Sequence, residues 1–106
     1  MKTVRQSRFE EELVESSLLI ICYFFSSHCF TCKTMVDPLM LELEKSYGDK
    51  IKILKIDGER ELKLVETFSI DTVPTFIIFK DLKVKETIKG FRKKFELEKV
   101  IRTYLE

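Results

Sequence analysis

The sequence lacks a long hydrophobic run and an excess of charge of either sign. The longest apolar run, residues 18–25, is far too short to span a bilayer, and the charged N-terminus lacks the apolar core of a signal peptide. The 19 basic and 18 acidic side chains are interleaved along the chain, so no basic surface for nucleic acid stands out. We therefore expect a cytoplasmic protein that binds neither membranes nor nucleic acids.

Linkers, repeats and cysteines are also scarce. No repeat or Pro/Gly/Ser-rich segment interrupts the 106 residues, and a hydrophobic content of 44% is enough for one sizeable core. We therefore expect a single domain over residues 1–106. Three cysteines, an odd number in a reducing compartment, argue against a framework of structural disulfides. Two of them are nevertheless close together, and that spacing requires an explanation in redox or metal chemistry.

Apolar patterning predicts alternating strands and helices. Residues 18–25 and 51–56 read as strands, the first of them apolar on both faces as in a central parallel strand. After Pro74 two predicted strands follow each other without a helix between them, and residues 75–79 and 84–88 are predicted to form a hairpin across a short polar turn. Helical spacing of apolar side chains marks four helices, within residues 9–14, 36–47, 62–68 and 97–105. The order predicts an α/β fold, a three-layer α/β/α sandwich around a mixed central sheet of four or five strands.

Cys29 and Cys32 lie three positions apart, where the first predicted strand gives way to a helix. The first turn of a helix has unpaired N–H groups and the positive end of the macrodipole, and both favour a thiolate over a thiol. Cys29 is therefore predicted to be the nucleophile. Cys32 lies one turn along the same helix face, close enough to attack a mixed disulfide formed at Cys29. The pair is thus predicted to cycle between dithiol and disulfide.

A metal site is the chemical alternative to a redox pair. It needs two further ligands, and the remaining candidates are Cys22, inside an apolar strand, and His28, next to the motif. A complete site within one chain is therefore disfavoured, and we predict no metal ligands. Cys22 is more simply explained as a small hydrophobic residue of the central strand.

The order of three motifs resembles the thioredoxin family over nearly the whole chain. A strand leads into SSHCFTCK and a helix, Val73-Pro74-Thr75 precedes a hairpin, and Gly90 precedes the last helix. The resemblance implies a thioredoxin fold and a thiol–disulfide oxidoreductase. In that family the first cysteine is the attacking thiolate and the second is the resolving thiol, which are Cys29 and Cys32 here.

The same resemblance implies a substrate-binding surface and partners. The bond before Pro74 is expected to be cis, and the backbone of Val73 is expected to pair with an extended substrate peptide. Thr75 and Gly90 are assigned to the same surface. The implied partners are disulfide-containing proteins and a reductase as electron donor. We expect a monomer with no cofactor beyond the redox-active disulfide itself.

The proton-handling groups of the family are the first departure. Tyr23 stands where the family has a buried acid, six residues before the first cysteine. Ile53 occupies the position expected for the lysine that faces this acid from the next strand. Without both groups, Cys32 is expected to lose its proton to water, to His28 or to the departing substrate thiolate.

The segment around the cysteines departs from the family as well. His28 replaces the usual tryptophan and is either an exposed loop residue or, in its positive form, a group that favours the neighbouring thiolate. Phe30 and Thr31 replace the usual Gly-Pro, and Phe30 belongs either to the core or to an apolar docking patch. Pro38 comes six residues after Cys32 instead of five, which predicts a displaced helix kink. Together with Tyr23, the residues His28, Phe30 and Thr31 are predicted to modulate the redox chemistry.

Two alternative functions stay open at this point. One is a redox-inactive module that keeps the peptide groove beside Val73 but has lost catalysis together with the acid and the lysine. The other is a metal ion or iron–sulfur cluster shared between the cysteine pairs of two subunits. Retained disulfide reduction distinguishes catalysis from the first alternative, and stoichiometric zinc or iron after anaerobic purification would indicate the second.

Overall fold

The computed structural model describes residues 1–16 and 18–105, which form a mixed sheet flanked by helices. The strands are β1 (Lys2–Thr3), β2 (Leu19–Phe25), β3 (Ile51–Asp57), β4 (Thr75–Lys80) and β5 (Lys83–Lys89). The helices are α1 (Gln6–Val14), α2 (Asp37–Tyr47), α3 (Leu62–Thr67) and α4 (Lys94–Leu105). A π-helical turn, Cys32–Val36, leads into α2, and a 3-10 turn, Gly48–Lys50, follows it.

The five strands lie in the order β1-β3-β2-β4-β5, so the predicted α/β sandwich with a mixed sheet is confirmed. β1 and β2 both run parallel to β3, and β4 runs antiparallel to β2 and β5. β2 and β3 are parallel because α2 carries the chain back across the sheet between them. Asp81 and Leu82 join β4 to β5, both with positive φ, as a two-residue hairpin turn requires. The short β1 is the fifth strand that the sequence left open.

β2 is the central strand, and its alternating side chains divide the core into two clusters. Leu19, Ile21 and Tyr23 pack on one face of the sheet with residues of α2 and α4. Ile20, Cys22 and Phe24 pack on the other face with residues of α1 and α3. Cys32 belongs to the first cluster, the one that contains Tyr23. The alternation therefore places Tyr23 on the same side of the sheet as Cys32, and Cys22 on the opposite side.

Helix α1 carries a buried carboxylate that the apolar pattern did not indicate. Glu12 is 3% exposed, and Lys2 on β1 donates to it at 2.9 Å. Lys52 on β3 forms a second ion pair with it. Hydrogen bonds from Lys52 and Lys2 lower the pKa of Glu12 from about 4.5 to about 2. The carboxylate thereby ties α1 to the β1–β3 edge of the sheet.

We expect Glu12→Gln to lower the free energy of unfolding at neutral pH by on the order of 1–2 kcal/mol, because the change removes the negative partner of Lys2 and Lys52. Solvent screening of Lys2, which is 60% exposed, keeps this loss small. The folded-state pKa lies below the ordinary value, so the contribution is complete above about pH 4.5 and is lost as the pH falls towards 2. Urea unfolding at about pH 7 and about pH 3 measures this, with the exposed Glu10→Gln as the control. Equal stabilities of Glu12→Gln and the parent at neutral pH would contradict the prediction.

Candidate redox site

Cys29 lies between the end of β2 and the start of the helix that follows. The Cys29 N–H donates to the Ser26 carbonyl oxygen at 3.1 Å, which closes a tight turn, and the chain is helical from Phe30 onwards. Cys29 and Cys32 form a disulfide with their Cα atoms 5.2 Å apart. The predicted start of the helix, within a residue or two of Cys29, is confirmed.

The two sulfurs differ in their surroundings. Cys32 is 1% exposed and belongs to the core, whereas Cys29 is only partly buried. The backbone N–H of Cys32 points at Cys29 Sγ at a distance of 3.1 Å. Negative charge on Cys29 Sγ would therefore meet an N–H donor of the first helical turn, which stabilises a thiolate.

The helix after the pair begins with an irregular turn. Residues Cys32–Val36 are π-helical, and the N–H of Asp37 donates to the carbonyl oxygen of Cys32. Pro38 follows in the continuous helical run that begins at Phe30, so its missing N–H leaves a carbonyl oxygen of the preceding turn without a helical donor. The extra residue before Pro38 is thus accommodated by a π turn, which commonly occurs at functional sites. This turn brings Asp37 above Cys32.

The predicted absence of a facing lysine was wrong. The register of β2 and β3 pairs Tyr23 with Lys55, while Ile53 pairs with Ile21. Lys55 Nζ lies 5.9 Å from the centroid of the Tyr23 ring and 2.9 Å from Asp37 Oδ2. Spacing along the sequence had placed the lysine position two residues early, because the register of parallel strands depends on the intervening loop and helix.

Tyr23 is fully buried and its hydroxyl donates to Asp37 Oδ1 at 2.9 Å. The same hydroxyl lies 3.4 Å from the carbonyl oxygen of Cys32. Burial, together with the neighbouring Asp37 carboxylate, raises the pKa of Tyr23 far above its ordinary value, so the phenol keeps its proton. A carboxylate therefore does lie near the resolving cysteine, but it comes from α2 instead of β2. Sequence reasoning missed Asp37, and the sole signal was the extra residue between Cys32 and Pro38.

His28 lies on the exposed side of the pair and contacts a carboxylate that the sequence did not indicate. Its Nδ1 is 3.0 Å from Glu59 Oε2, and its side chain is 84% exposed. Glu59 Oε1 accepts hydrogen bonds from the hydroxyl and the backbone N–H of Ser27, which lower the pKa of Glu59 to about 2. Glu59 thus ties the Ser27–His28 turn to the loop after β3.

The two residues between the cysteines are on the surface or close to it. The Phe30 side chain is 77% exposed, so Phe30 is not a core residue, and of the two expectations the docking patch is the one compatible with its position. Thr31 is partly buried.

The Val73-Pro74-Thr75 segment lies at the same end of the sheet as the cysteines. β4 begins at Thr75, which pairs with Phe24, so the segment faces the end of β2 from which the cysteine turn starts. The Val73–Pro74 peptide bond is cis, as predicted. Gly90, with a φ of 87°, donates its N–H to the Pro74 carbonyl oxygen at 2.8 Å. A backbone in this left-handed region favours glycine.

A groove of about 230 Å³ runs beside this segment. Its walls come from the turn after β2, from the loop after β3 and from the residues that precede Pro74, among them Ser26, Glu59, Asp71 and Val73. The side chain of Val73 is partly buried and packs against both core clusters. The turn that leads to Cys29 and the loop that carries Val73 therefore both line this groove.

Residues 1–16 and 18–105 contain neither a metal-ligand cluster nor a membrane-spanning helix. Over these ranges no group of three or more His, Cys, Asp or Glu side chains is arranged to hold a metal ion. No helix in the same ranges is long and apolar enough to cross a membrane. Cys22 lies on the opposite face of the sheet from the pair, and burial raises the pKa of its thiol.

The disulfide lies at the start of a helix, at the same end of a five-stranded mixed sheet as the cis-proline loop. This arrangement defines the class of thiol–disulfide oxidoreductases. Comparison with known proteins agrees with this class. The sequence model of the Thioredoxin family matches residues 1–103. The chain belongs to the thioredoxin family, and its activity is thiol–disulfide exchange.

Three relatives illustrate the similarity. The chain is 34% identical over 105 residues to the thioredoxin of Listeria monocytogenes, covering 99% of each chain. It is 32% identical over 87 residues to the thioredoxin of Bacillus subtilis, covering 82% of this chain and 83% of that one. Thioredoxin Y of the rice chloroplast is 34% identical over 100 residues, which cover 94% of this chain and 59% of the relative.

Proposed function

We propose that Cys29 and Cys32 exchange disulfides with protein substrates, Cys29 as the nucleophile and Cys32 as the resolving thiol. The observation that carries this assignment is the asymmetry of the pair. Cys29 is partly accessible and receives the N–H of Cys32 at its sulfur, whereas the Cys32 side chain is 1% exposed. A substrate disulfide can therefore reach Cys29 first, where a thiolate is favoured.

The exchange proceeds in two steps. The Cys29 thiolate attacks one sulfur of the substrate disulfide, forming a mixed disulfide and releasing the first substrate thiolate. Cys32 then attacks Cys29 Sγ, the mixed disulfide breaks, and the second substrate thiolate leaves with the bonding electron pair. The cysteine pair has then lost two electrons to the substrate, and running the steps backwards oxidises a substrate dithiol.

The proposed substrate is an extended peptide segment that binds beside Val73. The groove between Ser26 and Val73 and the loop before β4 support this, because a backbone next to a sheet end can pair with an added strand. Pro74, Thr75 and Gly90 hold this loop in place through the Gly90–Pro74 hydrogen bond and a bond from the Thr75 hydroxyl to the Thr72 carbonyl oxygen.

We also propose a domain organisation, an oligomeric state, a compartment and an electron donor for this protein. The chain acts as one domain over residues 1–106, as a monomer in the cytoplasm, without a cofactor beyond its own disulfide. A reductase supplies electrons to the oxidised pair. Lys55 and Asp37 weaken the case for a redox-inactive module, because that alternative assumed that both the lysine and a carboxylate were absent.

Insulin reduction tests the proposed function. With dithiothreitol as electron donor, the protein is expected to accelerate precipitation of the insulin B chain well above the rate with dithiothreitol alone. Anaerobically purified protein, analysed for zinc and iron, serves as the parallel measurement. No acceleration at catalytic concentrations, with a correctly folded protein, would reject catalysis in favour of a binding role.

Phe30 offers a test of protein docking, and a small disulfide substrate measures any accompanying change in the sulfur chemistry. Phe30→Ser is expected to raise the KM for insulin about 5-fold, because it removes an exposed aromatic contact next to Cys29. The rate with a small disulfide should change little. Phe95→Ser, which removes a 66% exposed phenylalanine from α4, is the matched control. Equal KM values for the two variants would rule out a docking role for Phe30.

A further inference from the structure

Asp37 is held in a fixed orientation between the sheet and Cys32. Its Oδ1 accepts the hydroxyl of Tyr23 at 2.9 Å and its Oδ2 accepts Lys55 Nζ at 2.9 Å. The side chains of Asp37 and Lys55 are only 27% and 18% exposed. Both carboxylate oxygens are therefore engaged by groups from two neighbouring strands, while one side of Asp37 still reaches solvent.

The π turn is what places Asp37 there. Asp37 closes the hydrogen-bonded turn that begins at Cys32, so its backbone lies directly above Cys32. A π turn holds one residue more than an α-helical turn. In a regular α-helix each residue is rotated by about 100° from the preceding one, so this extra residue changes the direction of the Asp37 side chain by about that angle. The irregular turn thus aligns a carboxylate with the buried cysteine.

The Tyr23 hydroxyl lies between Asp37 and Cys32. It has one proton, and the 2.9 Å contact to Asp37 is better than the 3.4 Å contact to the Cys32 carbonyl oxygen. That carbonyl oxygen already accepts the Asp37 N–H. The hydroxyl donates its proton to Asp37, and its oxygen can still accept a proton from a neighbouring group such as Cys32, which lies in the same core cluster.

Cys32 needs such an acceptor when it resolves a mixed disulfide. Reduction leaves a thiol at Cys32 in the same core cluster as Tyr23, with 1% exposure. A buried thiol attacks slowly unless a base removes its proton. The charged and titratable groups in contact with Asp37 are Lys55 on β3 and Tyr23 on β2, with Cys32 below it on its own helix.

We propose that Asp37 receives the Cys32 proton during resolution, acting through the hydroxyl of Tyr23, while Lys55 balances the carboxylate charge. This inference rests on the proposed roles of Cys29 and Cys32. The Cys32 proton moves to Tyr23 Oη as the Tyr23 proton moves to Asp37 Oδ1. The Cys32 thiolate attacks Cys29 Sγ, and the substrate thiolate leaves with the bonding electrons. Asp37 then releases its proton to solvent, so it is a positioning residue that acts through Tyr23.

A stopped-flow reaction with excess 5,5′-dithiobis(2-nitrobenzoate) separates the two steps. The first coloured thiolate released reports attack by Cys29, and the second reports resolution by Cys32. Asp37→Asn is expected to leave the first rate unchanged within about 2-fold and to slow the second at least about 10-fold at neutral pH. The difference should shrink as the pH rises well above neutral, because hydroxide then increasingly replaces Asp37 as the proton acceptor.

Two further variants complete the test. Tyr23→Phe keeps the ring in the core and is expected to slow the second release in the same pH-dependent way. This variant still tests the inference if Asp37→Asn does not fold. Asp49→Asn, an exposed change just beyond the other end of α2, should match the parent. An unchanged second release in Asp37→Asn or Tyr23→Phe would overturn the inference, as would slowing by the same factor at every pH. A parent that shows no first release would instead refute the proposed function.

Discussion

Cys29→Ser is expected to abolish disulfide reduction, while Cys32→Ser is expected to accumulate a mixed disulfide with its substrate. Removal of Cys29 takes away the partly accessible sulfur that the Cys32 N–H contacts, and the buried Cys32 cannot replace it. Removal of Cys32 leaves attack possible but eliminates resolution. We expect a loss of turnover of at least about 10³-fold in either variant, with a covalent adduct only in the second.

Non-reducing electrophoresis and intact-protein mass spectrometry with insulin as substrate measure the adduct. Cys22→Ala is the matched control, because Cys22 is also a buried cysteine but lies on the other face of the sheet. It should retain turnover and form no adduct. If Cys29→Ser traps substrate as efficiently as Cys32→Ser, the assigned order of the two cysteines is wrong.

Phe76→Ala is expected to lower the free energy of unfolding by about 3–5 kcal/mol. Phe76 is fully buried on β4 and stacks on the ring of Tyr23, with centroids 5.6 Å apart and an interplanar angle of 24°. The substitution removes the ring and leaves a cavity against Tyr23, in addition to the lost burial of apolar surface. The unfolded fraction should rise by more than two powers of ten.

Guanidinium unfolding of the oxidised protein measures this loss. Phe95→Ala is the control, since Phe95 is 66% exposed and its truncation should change the stability by less than about 0.5 kcal/mol. A loss below about 1 kcal/mol for Phe76→Ala would show that the core beside Tyr23 relaxes to fill the cavity. In that case the packing of the Tyr23 ring would not depend on Phe76.

The fold and the cysteine pair were predictable because local patterns specify both. The continuous apolar run of residues 19–25 indicates burial on both faces of β2, and the short polar turn between residues 75–79 and 84–88 indicates the hairpin. β1 was left open because a two-residue strand carries no periodicity of its own. Its pairing with β3 depends on tertiary contacts, including the ion pair between Lys2 and Glu12.

The proton-handling groups were not predictable, because they come from long-range geometry. Whether Lys55 or Ile53 faces Tyr23 depends on the register of two parallel strands, which sequence spacing does not fix across an intervening helix. Asp37 enters the site through a π turn, and its side chain would be assigned to the solvent face of a regular helix. Glu59 likewise meets His28 only because two loops converge at the end of the sheet.

The two outer strands have a consequence for self-association. β1 has only two residues, and β5 has lysines at positions 83, 85 and 89 of a largely exposed strand. Short edges and edge lysines oppose the docking of a foreign strand, which is how natural sheets avoid aggregation. We therefore expect the chain to resist edge-to-edge polymerisation when it is concentrated. The proposed peptide site beside Val73 would then be the place where an added strand pairs with this chain, next to the cysteine pair.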